Sequence, residues 1–131
     1  MLMEGAESRD EIIKVTERII GCAYTISNAL GVGFLEKVYQ NALAHELRKA
    51  GLSVAQQYPI QVRYNGIIVG DYAVDLLVEE QVIVEWKVAK ALDDVHLAHC
   101  LNYLKATNLR IGLLLNFGKP RVEVKRVVRD P

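Results

Sequence analysis

The stretch Val82-Ile83-Val84-Glu85-Trp86-Lys87-Val88 decides how this chain is read. It is a strongly β-forming run, and a strand sends successive side chains to opposite faces. Val82, Val84, Trp86 and Val88 therefore share one face, and Ile83, Glu85, Lys87 and Ala89 share the other. The run reads as an interior strand, where a charge is costly unless it is paired or bound to a metal. An acid and a base on one such face need a partner, and Asp75, in the earlier run Asp71 to Glu79, is the candidate.

Working outward, Val54–Tyr64 and Ile67–Val78 are two period-two runs joined by Asn65-Gly66, a strong hairpin signal. Pro59 inside the first predicts an edge strand or a bend. Glu79, Glu80 and Gln81 turn into the third strand, Val82–Ala89. If those three residues form the loop, Val78 pairs with Val82, which sets Asp75 opposite Glu85 and Ala73 opposite Lys87. Residues directly opposite share a face, so both carboxylates and the lysine would converge. A two-residue loop would instead put Asp75 and Glu85 on opposite faces.

Downstream, the pattern predicts a helix from about Asp93 to Ala106 with Leu97, Leu101 and Leu104 on one side. Two further strands, Arg110–Phe117 and Arg121–Val128, flank Gly118-Lys119-Pro120. Upstream, a helix is expected from Ser8 or Asp10 to Leu30, with Ile12, Val15, Ile19, Cys22, Ala23 and Ile26 as its apolar stripe. Ser8 and Glu11 fit a capping box at its start. After Gly31-Val32-Gly33 a second helix runs from Phe34 to about Ala50, closed by Gly51, with Leu35, Val38, Tyr39, Ala42, Leu43 and Leu47 apolar. The order α-α-β-β-β-α-β-β, without linker, repeat or low-complexity tract, predicts one α/β domain over residues 1–131, a mixed sheet flanked by helices.

A composition of 51% hydrophobic and 24% charged residues is globular and not disordered. No apolar run approaches the ~20 residues that span a bilayer, and Met-Leu-Met-Glu-Gly-Ala-Glu lacks the positive start and apolar stretch of a signal peptide. The expectation is a cytoplasmic protein with no membrane partner. Cys22 and Cys100 show no CxxC spacing and are expected as buried free thiols. Net charge is zero, so there is no strong global pull toward nucleic acid. Locally, residues 71–94 hold seven acids against Lys87 and Lys90, and residues 105–131 hold seven bases against Glu123 and Asp130. An acidic, cation-hungry centre beside a basic end suits a phosphate-bearing substrate; solvated strand ends and a solvated tail would account for the same pattern.

Two carboxylates about 5 Å apart repel unless a divalent cation or a proton lies between them. Hard oxygen ligands with this charge suit Mg²⁺, or Mn²⁺ in its place. The competing reading is a cross-strand ion pair on a solvated face. Glu36 lies at the edge of the second helix's apolar stripe, where it could face a metal or simply favour the helix dipole. His96, His99, Cys100 and Tyr103 share one face of the last helix. His96, His99 and Cys100 read as zinc ligands lacking a fourth partner, or the set reads as half-buried residues lining a cleft.

Gly33-x-x-Glu36-x-x-Tyr39 with Ala42-Leu43, then Asp75, then Glu85-Trp86-Lys87, then His96 and Leu101-Asn102-Tyr103-Leu104-Lys105-Ala106-Thr107 together resemble the GxxExxY family of the PD-(D/E)xK nuclease superfamily. The match runs from about Ile13 to Arg126, and Gly112-Leu113-Leu114-Leu115-Asn116-Phe117-Gly118 extends it. The resemblance implies a restriction-endonuclease-like fold and an Mg²⁺-dependent nuclease acting on DNA rather than RNA. It implies that Glu36, Asp75 and Glu85 ligate Mg²⁺ together with the backbone carbonyl of Trp86. Lys87 would orient or activate the attacking water, and the product would carry a 5′-phosphate. His99 stands where the family usually has Gln, and as a histidine it can still donate to a phosphate or water. Ser27 replaces a frequent His, and Gly31-Val32-Gly33 replaces Gly-Pro-Gly. Two rival functions stay open: a catalytically silent nucleic-acid-binding or assembly module of the same fold, and a partner-binding protein whose charges form ion pairs. Homodimerisation is a further expectation, because a cut duplex offers two strands.

Overall fold

Five strands, β1 (Val54–Tyr64), β2 (Ile67–Val78), β3 (Val82–Lys87), β4 (Ile111–Asn116) and β5 (Glu123–Val128), form one mixed sheet in chain order. Three helices complete the computed structural model: α1 (Leu2–Leu30), α2 (Glu36–Lys49) and α3 (Asp94–Thr107). The structure describes residues 2–129, with side chains from residue 9 onward. β3 and β4 pair in parallel, joined by α3 as the crossover, and the remaining pairs are antiparallel. Central β3 and β4 are buried on both faces, as a covered parallel pair requires.

The alternation in β3 sorts the molecule into layers. Val82, Val84 and Trp86 pack with Leu113, Leu115 and Phe117 under α1 and α2. Ile83 packs with Cys100, Leu104 and Leu114 under α3. On α1, Ile19, Ala23 and Ile26 are buried, with Ile12, Val15 and Cys22 partly so, which is the stripe expected from their spacing. The helix begins at Leu2 rather than near Ser8, and the capping box expected at Ser8 falls on a side chain outside those described. Ser27 has a packing role, its Oγ accepting the Val122 N–H at 3.2 Å. On α2, Tyr39, Leu43, Ala44 and Leu47 are buried, but Leu35 and Val38 are exposed. That helix starts only at Glu36, so the apolar stripe meets the sheet one turn later than the pattern suggests. Its end is a complete Schellman motif, Leu52 N–H to Leu47 O and Gly51 N–H to Arg48 O. Both cysteines are free, Cys100 buried and Cys22 half-buried. Among the described residues no helix is long and apolar enough to cross a membrane.

The β1–β2 hairpin carries an irregularity that bears on the site. Val54, Leu76 and Val78 belong to the α1/α2 side, whereas Ile60 and Val74 lie under α3 together with Leu77. Both strands therefore flip their pleat between the pairs Gln56–Leu76 and Tyr58–Val74. The residue at the flip is Gln57, in the left-handed region at φ 51° and level with Asp75. The flip lets the sequence neighbours Val74 and Asp75 both face α3. A left-handed non-glycine residue costs about 1–2 kcal/mol, so exposed Gln57→Gly should gain stability, about 0.5–1 kcal/mol after glycine's extra unfolded-state entropy. A urea-midpoint shift reads this directly, and a loss would mean that the Gln57 side chain itself holds the kink.

Candidate active site

Glu79 and Glu80 adopt φ 53° and 55°, and the Gln81 N–H donates to Val78 O at 3.0 Å. The resulting three-residue loop sets Val78 opposite Val82, Leu77 opposite Ile83 and Leu76 opposite Val84. Continued by one row, that register places Asp75 opposite Glu85. There the backbone ladder gives way to side chains. The Asp75 N–H donates to Glu85 Oε1 and the Trp86 N–H donates to Asp75 Oδ2, both at 3.1 Å. Each carboxylate thus takes a main-chain donor from the opposite strand. The next expected pair, Ala73 with Lys87, does not form. The acids have captured donors that would extend the ladder, and the pleat flip turns Ala73 away from α3.

Glu85 is buried, with 8% of its surface exposed. Burial, followed by the charge and hydrogen bond of Asp75, pushes its carboxyl up to about 9, against the opposing pull of Lys87. The pair therefore lacks one positive charge, and its chemistry is to take up a proton or a hard cation. Lys87, half-buried at the end of β3, is the next side chain on the Glu85 face. On the α3 side, Cys100 and Tyr103 lie over the acids. Burial and then Glu85 push the Cys100 thiol up to about 12, so it is an inert packing group. The Tyr103 phenol is raised by burial first, then by Glu85 and Asp75.

The segment after Lys87 is clamped from β4. Asn116, fully buried on that strand, accepts the Ala89 N–H at 3.0 Å and the Gly118 N–H at 2.9 Å, and donates to Ala89 O at 2.9 Å and Glu123 Oε1 at 3.1 Å. Glu123 Oε1 also accepts the Leu92 N–H, and these hydrogen bonds, Asn116 first, hold its carboxyl below the ordinary value. Gly118 lies so close that a Cβ would sit 2.4 Å from Ala89 O. Gly118→Ala must displace backbone, so we expect a loss of about 3 kcal/mol in urea denaturation. A loss below about 0.5 kcal/mol would show a yielding loop, and no rigid clamp on Lys87.

The other expected residues are placed differently. Tyr39, buried and stacked on Phe117 at 4.8 Å, donates from its hydroxyl to Gly31 O at 2.6 Å and accepts the Phe34 N–H at 3.3 Å. The Phe117 N–H donates to Lys87 O at 2.9 Å. Through this chain of contacts Tyr39 fixes the start of α2, and with it Glu36, at the Lys87 end of the sheet. Glu36 is exposed there, and no three His, Cys, Asp or Glu side chains are gathered to hold a metal among the described residues. His96 is occupied as the capping partner of Asp93: its Nδ1 accepts the Asp93 N–H at 3.2 Å while Asp93 Oδ1 accepts the Val95 and His96 N–H groups. That use, rather than zinc, explains it. His99 is exposed on α3 and lines a groove with Tyr72 and Tyr103, in keeping with the cleft-lining reading.

This architecture and this Asp…Glu-x-Lys order can be set beside known proteins. The profile of the PD-(D/E)XK nuclease superfamily matches residues 13–127. The chain belongs to this superfamily. As a PD-(D/E)XK nuclease-superfamily protein it has the restriction-endonuclease-like α/β fold. The crystal structure of an alkaline exonuclease (LHK-Exo) from Laribacter hongkongensis is similar with a TM-score of 0.54 at 14% identity, over 72% of this chain and 56% of that one. SSO0001 is similar with a TM-score of 0.54 at 12% identity, over 72% of this chain and 50% of that one. The chain thus spans about half the length of these solved structures, and at such identities the likeness is one of fold. No curated protein matches the chain.

Within this superfamily member, sequence reasoning gave Asn116 and Gln57 no part in the site. Asn116 and Gly118 lie in the motif-like run Gly112–Gly118, so a signal existed without a role attached to it. Tyr103 was legible as a helix-face neighbour of His99. Gln57 carries no local signature, since its conformation is imposed across the sheet.

Proposed function

We propose that the chain is an Mg²⁺-dependent nuclease of the GxxExxY type that hydrolyses phosphodiester bonds in DNA. The observation that carries this reading is the row in which Asp75 faces Glu85, with Lys87 next on the same face. The residues fit a divalent cation: two hard carboxylates meet, Lys87 offsets only part of their charge, and Glu85 is driven toward its neutral form. Asp75, Glu85 and the Trp86 carbonyl would hold the ion; Glu36, exposed at the start of α2 and not gathered with them here, would be the third acid that the GxxExxY resemblance implies. When bound, the cation supplies Lewis acidity at the phosphate.

The chain's own groups do the rest. Lys87 presents a donor and a positive charge where negative charge gathers on the phosphate oxygens, and it orients the attacking water. Asn116 and Gly118 keep Lys87 in place through Ala89. His99, at the rim, donates to a flanking phosphate oxygen. The GxxExxY pattern acquires a physical sense, because Tyr39 pins the loop that ends in Glu36. The test is incubation of single-stranded, duplex and branched DNA, and RNA, with Mg²⁺ or Mn²⁺, wild type beside Lys87→Ala. Metal-dependent cleavage of DNA by wild type alone supports the proposal; no cleavage of any substrate with either metal rejects it in favour of a silent binding module.

A further inference from the structure

A groove of about 830 Å³ opens between the β1–β2 hairpin and α3. Its walls include Arg63, Tyr72, His99, Asn102, Tyr103 and Lys105, and no acidic residue lines it. Tyr72 is 53% exposed and its ring stands 6.0 Å from that of Tyr103, tilted by 55°. The Tyr72 ring folds back over Gly70, where a Cβ would lie 3.1 Å from the ring carbon Cε2, so the glycine makes the room that the ring occupies. Arg63 donates to Gln61 Oε1 at 3.2 Å, which steadies one of the two cations. Tyr103, on the groove wall, stands near enough to Glu85 and Asp75 for their charges to raise its phenol, although neither acid lines the groove.

We propose that this groove binds an unpaired DNA strand, a base stacking on Tyr72 and Tyr103 while Arg63 and Lys105 meet the flanking phosphates. The volume lies in the range of small-molecule pockets, about 300–1,000 Å³. It suits one or two nucleotides, whereas a duplex keeps its base faces inside the stack. Aromatic platforms flanked by cations are the general solution for single strands, since every base has a π-face. Asn102 offers hydrogen bonds to a base edge or a sugar. A strand held here is delivered to Asp75 and Glu85, so the substrate is a single-stranded end, flap or gap. That delivery rests on the proposed nuclease activity, while the binding itself does not.

The experiment is fluorescence anisotropy of a labelled oligo-dT 12-mer, a blunt duplex and an oligo-rU 12-mer, all in EDTA so that nothing is cut. Wild type should bind the dT strand at least tenfold tighter than the duplex. Tyr72→Ala should weaken dT binding on the order of tenfold, and Tyr72→Phe should restore it. Arg63→Ala should lower the slope of log affinity against log salt by about 1. Circular dichroism of each variant excludes unfolding as the cause. Duplex binding equal to single-strand binding, or Tyr72→Ala within twofold of wild type, overturns the proposal, as does rU bound tenfold tighter than dT. If wild type binds as expected yet cuts nothing with Mg²⁺ or Mn²⁺, the groove stands and the nuclease reading falls.

Discussion

Replacing Lys87 by Ala is expected to slow phosphodiester cleavage by about 10²–10³-fold, the scale on which removing one donor to a developing oxyanion acts. Position is the reason. Lys87 is half-buried at the end of β3, next after Glu85 on the same face, and its main chain is held by Phe117 while Ala89, two residues on, is clamped by Asn116. A charge on so fixed a backbone is oriented before substrate arrives, so its loss should appear in kcat rather than in KM. Because the side chain truncates without touching the clamp, the stability read from urea denaturation should change by less than about 1 kcal/mol. Equal cleavage by variant and wild type would remove Lys87 from the mechanism.

Glu85→Gln should change how stability depends on pH. Glu85 titrates near its ordinary value when unfolded, but burial and Asp75 push it up to about 9 in the folded chain. The folded state thus holds its proton more tightly, and the stability linked to this group is complete below about 4.5 and lost as pH climbs toward about 9. Metal-free wild type should therefore lose stability on the order of a few kcal/mol across that window and melt at progressively lower temperature. The neutral amide mimics the protonated acid, so Glu85→Gln should be the more stable protein at about pH 8.5 and nearly flat with pH. Mg²⁺ should reverse the order, raising the Tm of wild type at about pH 8 and leaving the variant unmoved. Parallel melting curves for both proteins from about pH 5 to 9 would refute the assignment of the buried proton to this pair.

Much of this was legible in the chain. The alternation through Val82–Val88, the stripe on α1, Pro59 in an edge strand and the odd-length turn that opposes Asp75 to Glu85 all follow from local periodicity or from counting. What escaped is imposed from a distance. Gln57 is left-handed because two strands change pleat together, and the Ala73–Lys87 pair is lost to the same event and to carboxylates that capture backbone donors. Asn116 acts on Ala89, 27 residues away in the chain. Leu35 and Val38 look apolar enough to be core, yet the loop that Tyr39 pins leaves them in solvent. The carboxylate pair was readable, while the placement of Glu36 depends on that loop and could not be reached by counting.

The kink at Gln57 and the missing N–H of Pro59 also bear on how copies of this chain meet. Both lie on β1, at one rim of the sheet, while β5 at the other rim carries exposed Lys125 and Arg126. A rim that is bent and lacks a donor is a poor template for an incoming strand, and a rim of like charges repels its own copy. Strand addition is disfavoured at both rims, so the sheet is guarded against edge-to-edge aggregation.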